Sequence, residues 1–141
     1  MLEQKTIELL LETAIAMKKK SYAPYSNFHV GAALLSKDGQ IFTGCNVENA
    51  AYTPTNCAER TAFFKAVSEG VTEFRAIAIA GGQKGKIAGA TAPCGVCRQV
   101  MMEFCNPEEF EIYMAVDEEK RYEKATLAEL LPRGFGPENL A

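Results

Sequence analysis

The sequence predicts an α/β fold, a three-layer α/β/α sandwich with helices on both faces of a mixed sheet. Two observations carry this. Residues 28–35 and 40–45 have strand character and flank Asp38-Gly39, a dipeptide suited to a tight hairpin turn. Beyond the hairpin, helical and strand patterns alternate, which layers helices over a sheet. A chain of 141 residues, 48% of them hydrophobic, is long enough to bury a genuine core, and a single domain over residues 1–141 is expected.

Each element has a local reason. Ile7, Leu10, Leu11, Ala14 and Ile15 recur at helical spacing and predict an amphipathic helix over 6–19. Residues 22–27 form a loop around Pro24, and the hairpin follows. Residues 46–55 are too polar and irregular for a regular element. Asn56 is suited to cap a second helix, which Gly70 ends. Ala76-Ile77-Ala78-Ile79 marks a buried strand over 74–80, and the Gly- and Lys-rich residues 81–89 a surface loop. A third helix is expected over 94–104, a fourth strand over 110–116, and a short helix over 127–131 before Pro132.

Composition narrows the setting. Charged residues make up 23% of the chain, and no window is apolar for anything near the ~20 residues that span a bilayer. The opening Met1-Leu2-Glu3-Gln4-Lys5 lacks the basic, apolar and small-residue regions of a signal peptide, so a cytoplasmic protein with reduced thiols and no membrane partner is expected. The net charge is −3 and the isoelectric point about 5.3, whereas a nucleic-acid binder carries a basic stripe. Lys18-Lys19-Lys20 reads as the last turn of a helix, where cations complement the dipole. A small neutral substrate fits this charge better than nucleic acid does.

The chemistry lies in two cysteine motifs, Cys57-Ala58-Glu59 and Pro93-Cys94-Gly95-Val96-Cys97. Three thiolates fill most of a tetrahedral zinc shell and leave the fourth position open, as a catalytic zinc site requires. Cys57 falls at the start of the second helix, and Cys94 and Cys97 at the start of the third, where free N–H groups and the helix dipole favour thiolates. Three thiolates on Zn²⁺ leave a charge of −1, which Arg60 and Arg98 are placed to offset by hydrogen bonds to sulfur. Glu59 has capping-box spacing from Asn56, but beside a metal-activated water a carboxylate is a general acid/base. Cys45 and Cys105 lack partners at ligand spacing and read as buried thiols, and His29 as a strand residue. Gly81-Gly82-Gln83-Lys84-Gly85-Lys86-Ile87 looks suited to phosphate but lacks the glycine spacing and the final Ser or Thr of a P-loop.

Thiols and glutamate together have the general pattern of zinc-dependent nucleobase deaminases. The stretches YAPYSNFHVGAA (22–33), GCNVENAAY (44–52), CAERTA (57–62), APCGVCRQ (92–99) and LPRGFGP (131–137) resemble the cytidine deaminases of the small homotetrameric type, in the family's order. The resemblance implies a sheet of about five strands and one zinc ion per chain, held by Cys57, Cys94 and Cys97. It implies that Asn46 and Glu48 hydrogen-bond the ribose 3′-hydroxyl and that Phe28 packs on the pyrimidine. The Ala58 backbone is a further candidate for positioning the substrate. Ala50 and Tyr52 match positions that approach the ribose 5′ end from a neighbouring subunit, and Phe135 an aromatic that also crosses between subunits. The active site would then be shared within a homotetramer. The implied reaction is hydrolytic. Water activated at zinc attacks C4 of cytidine or deoxycytidine, Glu59 carries protons to N3 and the departing amine, and ammonia leaves the uridine product, a step of pyrimidine salvage.

Two alternatives remain open on the residues. A modified or antibiotic cytosine nucleoside, or a cytosine on a polynucleotide, would use the same chemistry, although acidic charge disfavours the polynucleotide. A structural zinc or a Cys94–Cys97 redox pair would leave Glu59, Asn46 and Glu48 without a role.

Overall fold

The structure, a computed structural model, describes residues 2–87 and 89–141; Met1, at the opening read for a leader, and Ala88, in the predicted 81–89 loop, lie outside the described residues. Helix α1 spans Gln4–Lys18, and strands β1 (His29–Ser36) and β2 (Ile41–Cys45) form the expected hairpin. Its turn closes with the Ser36 amide donating to the Gln40 carbonyl at 2.9 Å, and Gly39 sits at φ 92°, which glycine adopts without penalty. Helix α2 (Ala58–Ser68), β3 (Phe74–Gly82), α3 (Gly95–Phe104), β4 (Glu111–Ala115), β5 (Tyr122–Thr126) and α4 (Leu127–Leu130) follow, before a 3₁₀ turn at Pro137–Leu140.

The five strands pair in the order β2-β1-β3-β4-β5. Only β3 and β4 are parallel, joined through α3; the other neighbours are antiparallel, so the sheet is mixed. Alternation sorts the strand residues between two cores. Ala32, Leu34, Ile77, Ile79, Ile112 and Met114 face α2 and α3, where Ala62, Phe63 and Met101 complete one apolar layer. Ala33, Leu35, Ala76, Ala78, Tyr113 and Ala115 face Leu10, Leu11 and Ala14 of α1. This is the three-layer α/β/α arrangement that the sequence predicts.

Two expectations need correction. The sheet has the five strands that the resemblance implies, but the element-by-element pattern shows only four, and β5 escapes it because Tyr122-Glu123-Lys124-Ala125-Thr126 is an edge strand with charged residues and little burial. Asn56 does not cap α2. Cys57 is the N-cap with extended geometry (φ −73°, ψ 156°) and no side-chain cap bond, while Asn56 exchanges backbone hydrogen bonds with Val47 and donates from Nδ2 to Thr61 Oγ1 at 3.2 Å. A capping box does form at α4, between Thr126 and Glu129.

Gly44 sets how closely α2 approaches the sheet. A Cβ there would strike the Ala58 carbonyl and come within 2.6 Å of the Ala62 amide nitrogen, so the helix that begins with the Cys57 motif rests directly on the backbone of β2.

Candidate active site

Cys57 caps α2, Cys94 caps α3 with φ −68° and ψ 168°, and Cys97 lies in the first turn of α3. The two helix starts bring their sulfurs together: Cys57 and Cys94 Sγ are 3.7 Å apart, and all three sulfurs lie within 4.8 Å of one another. Zinc–thiolate bonds of about 2.3 Å put tetrahedral sulfurs roughly 3.8 Å apart. Zinc therefore fits these three donors with little movement. Among the described residues no further His, Cys, Asp or Glu joins the group, which leaves a tetrahedral ion one position for a reactant.

Cys57 is half-buried, Cys94 exposed and Cys97 buried. The neighbouring Cys97 thiol pulls the Cys57 thiol down to about 5 against the effect of burial, with Arg60 contributing as well. Its contact with Cys57, and then burial, push the Cys97 thiol up. Arg60 Nη2 donates to Cys57 Sγ at 3.2 Å, as its placement one turn into α2 predicts. Burial opposes the guanidinium charge, but the hydrogen bond to Cys57 and the nearby Cys97 sulfur sustain it. Arg60 Nε is buried without a partner.

Glu59, in the first turn of α2, is only 4% exposed. Burial pushes its carboxyl up to about 7; its own backbone N–H works against this, and the Cys57 charge adds to it. A carboxyl poised near neutrality can both take and return a proton at working pH. Its neighbour Ala58 is buried completely.

Asn46, Glu48 and Phe28 gather beside β1. Asn46 is 8% exposed; its Oδ1 accepts from the Val30 amide at 2.9 Å and its Nδ2 donates to the Phe28 carbonyl at 2.8 Å. The amide retains one N–H and one lone pair for a ligand. Glu48 Oε1 accepts from the Tyr25 and Ser26 amides at 2.9 and 3.1 Å, and the Ser26 hydroxyl donates to Oε2. That hydroxyl, and then the backbone donors, hold the Glu48 carboxyl below its ordinary value, so it is an ionised acceptor. The Ser26 role has no sequence signal beyond its place in a turn. Phe28 is partly exposed, Ala50 lies in an exposed turn, and Tyr52 is 72% exposed with its ring 6.3 Å edge-on from Tyr25.

Arg98 departs from expectation. It does not reach sulfur; Nε donates to the Pro93 carbonyl at 2.7 Å and Nη1 to the Leu130 carbonyl at 2.6 Å, tying the turn before Cys94 to the end of α4. Gln99, to which no local sequence pattern assigns a role, donates from Nε2 to the Phe135 carbonyl at 2.8 Å and fixes the C-terminal segment on α3, leaving the Phe135 side chain exposed. Cys105 is buried, with burial pushing its thiol up. Cys45 is half-buried against the Lys20 carbonyl, and His29 begins β1 with Nδ1 2.6 Å from the Ser21 hydroxyl. None of these three belongs to the thiol group.

Comparison with known proteins agrees with this geometry. The cytidine and deoxycytidylate deaminase zinc-binding region matches residues 4–114. The chain is similar to a cytidine deaminase of Sporosarcina psychrophila, 47% identical over 96% of this chain and 95% of that one. A probable cytidine deaminase of Dictyostelium discoideum is 41% identical over 99% and 90% of the two chains. The crystal structure of a cytidine deaminase from Burkholderia pseudomallei superposes with a TM-score of 0.81 at 45% identity, covering 95% of this chain and all of that one.

Proposed function

Because the chain belongs to the cytidine and deoxycytidylate deaminase zinc-binding family, we propose that it hydrolyses the 4-amino group of free cytidine and deoxycytidine, giving uridine and deoxyuridine in pyrimidine salvage. The observation that carries this reading is the meeting of three thiols at two helix starts with a buried, near-neutral Glu59 in the same turn.

Cys57, Cys94 and Cys97 would hold a zinc ion that, when bound, would supply Lewis-acid activation of water at neutral pH. Glu59 takes a proton from the attacking water and passes it to N3 of the pyrimidine, which makes C4 electrophilic. The same carboxyl then takes the remaining proton from the hydroxyl added at C4 and delivers it to the amine, so that the C4–N bond breaks, ammonia leaves and the oxygen becomes the carbonyl of the uridine product. Asn46 and Glu48 read the ribose 3′-hydroxyl, Asn46 through its spare amide N–H and Glu48 as an ionised acceptor. A site built for that bond rejects analogues lacking the hydroxyl. Phe28 packs on the ring, and the Ala58 backbone helps to orient it.

The active unit in this reading is a cytoplasmic homotetramer of single-domain chains that bind neither nucleic acid nor membrane. No described helix is long and apolar enough to cross a membrane. Ala50, Tyr52 and Phe135 complete a neighbour's site, which accounts for exposed aromatic rings at Tyr52 and Phe135.

Conversion of cytidine and deoxycytidine, followed by ultraviolet absorbance on zinc-loaded protein, tests the assignment. Turnover is expected for both, and Glu59→Ala is expected to lose at least ~100-fold in kcat while keeping its zinc. A zinc-loaded oligomer inert to both nucleosides would move the substrate to a modified cytosine nucleoside.

A further inference from the structure

Behind the substrate side of β1, on the face that packs against α1, lies a second cavity of about 290 Å³. Its rim carries Lys18, Lys19, Lys84 and Lys86, with His29 and a single carboxylate, Glu118. The zinc ligands, Glu59 and the ribose-reading residues contribute nothing to it.

Lys18 gives this cavity its character. A lysine in the last turn of a helix ordinarily reaches into solvent beside the terminal carbonyls. Lys18 is instead 6% exposed, and its ammonium leaves α1 to donate to the Gln83 carbonyl at 2.6 Å. That bond uses one of three N–H donors, and among the described residues the other two have no acceptor and no ion-pair partner. Glu118, whose Oε1 accepts from the Ile87 amide at 2.9 Å, forms no ion pair with it, although its charge acts on Lys18 from a distance. A buried ammonium with idle donors is costly unless an anion faces it. Burial accordingly lowers the Lys18 pKa, with Glu118 opposing only in part.

The remaining lining suits a ligand with an organic body. Ile15 and Ile87 give the cavity an apolar wall, and its volume sits at the small end of ligand pockets, which begin near 300 Å³. Lys84 and Lys86 come from the Gly- and Lys-rich segment that fails as a P-loop, so in this fold the segment contributes cations from the side rather than a cradle of amides.

We propose that the Lys18 cavity is an anion site for the phosphate group of a small phosphorylated molecule of nucleotide size. Phosphate answers the idle Lys18 donors, Lys84 and Lys86 close over it, and Ile15 and Ile87 pack on the attached body. The site is independent of the pyrimidine site and lies on the opposite face of β1.

Isothermal titration of the full-length, zinc-loaded protein tests this with three probes: inorganic phosphate, adenosine monophosphate and adenosine. The purine keeps the probe out of a pyrimidine pocket, and adenosine reports any binding that does not need phosphate. Adenosine monophosphate is expected to bind once per chain, more weakly as salt rises, and adenosine not at all. Equal affinity for inorganic phosphate would assign the occupant as free phosphate; tighter binding of the nucleotide would assign the ester. Lys84→Ala/Lys86→Ala, two exposed positions, and Lys18→Met are each expected to weaken binding at least ~10-fold. The double variant should keep wild-type cytidine turnover, so a failure here is distinct from a failure of the deaminase assignment. No heat from either phosphate probe at millimolar concentration, or affinity unchanged in both variants, would overturn the proposal.

Discussion

Arg60 reaches back one turn of α2 and donates from Nη2 to Cys57 Sγ at 3.2 Å, while its Nε stays buried without a partner. Cys57 is the one ligand on α2, and Cys94 and Cys97 belong to α3, so this contact acts on the thiolate that joins the two helices. A guanidinium on sulfur drains charge from a three-thiolate shell, which otherwise resists ionising a bound water.

Arg60→Ala is therefore expected to lower zinc affinity by about 10–100-fold, read by competition with a chelator. It should also move the acid limb of the cytidine rate profile to higher pH, because the shell becomes more negative. Arg60→Lys should restore part of the charge but not the fixed reach of a guanidinium. Chelator resistance and pH profile both unchanged in Arg60→Ala would remove Arg60 from the metal site.

The five cysteines should separate cleanly by metal content. Ala substitution at Cys57, Cys94 or Cys97 removes a donor from a group whose sulfurs lie within 4.8 Å, and bound zinc should fall from about one per chain to a small fraction. Cys45→Ala and Cys105→Ala should keep their zinc, since neither sulfur belongs to that group. Stoichiometry by elemental analysis decides it, and a zinc-free Cys105→Ala that remains folded would contradict the ligand set.

The way the site is built explains which parts of it were legible in the sequence. The thiols sit at two helix starts with short internal spacings, so local rules place them. Arg60 was legible for the same reason, being one turn from Cys57. Arg98 has a matching position after Cys97, but its guanidinium is captured by the Pro93 and Leu130 carbonyls, and Leu130 is 32 residues away. Gln99 and Phe135 are likewise distant partners that no local pattern joins. Asn56 follows a sound capping rule yet yields the cap to Cys57, because Val47 pairs with its backbone. In the fold, β5 was missed because none of its residues is fully buried, so neither face leaves an apolar alternation.

That edge strand carries a pH-sensitive contact. Glu111 of β4 accepts from Lys124 Nζ of β5 at 2.7 Å and from the Tyr113 hydroxyl at 2.9 Å. Burial alone would raise the Glu111 pKa, but these donors bring it below its ordinary 4.5. A carboxyl with a lowered folded pKa stabilises the protein above its unfolded value and loses that contribution as pH falls through the folded one. Wild type should thus exceed Glu111→Gln by about 1 kcal/mol near pH 7, a figure kept small by the partial exposure of Lys124. The gap should narrow below roughly pH 5. Urea melts at several pH values measure it, and a constant gap from pH 7 to pH 3 would mean that the Glu111 charge contributes nothing.

Gly44 links the sheet to the chemistry most directly. With no side chain at this position, β2 lies against the backbone of α2 at Ala58 and Ala62, and the same helix carries Glu59 and begins at Cys57. Gly44→Ala places a methyl group into helix backbone, which cannot rotate away as a flexible side chain would. The helix must shift, and the overpacking is expected to cost about 1–3 kcal/mol. A shift of α2 moves Cys57 and Glu59 relative to Cys94 and Cys97, which are held on α3, so catalysis should suffer beyond what the stability loss explains. Folded, zinc-loaded Gly44→Ala protein, isolated well below its melting temperature, is expected to turn over cytidine at least ~10-fold more slowly, because positioning errors near 1 Å are costly at a reacting centre. Wild-type kcat in a destabilised Gly44→Ala would show that α2 can move without disturbing the site. Wild-type stability would show that β2 yields instead.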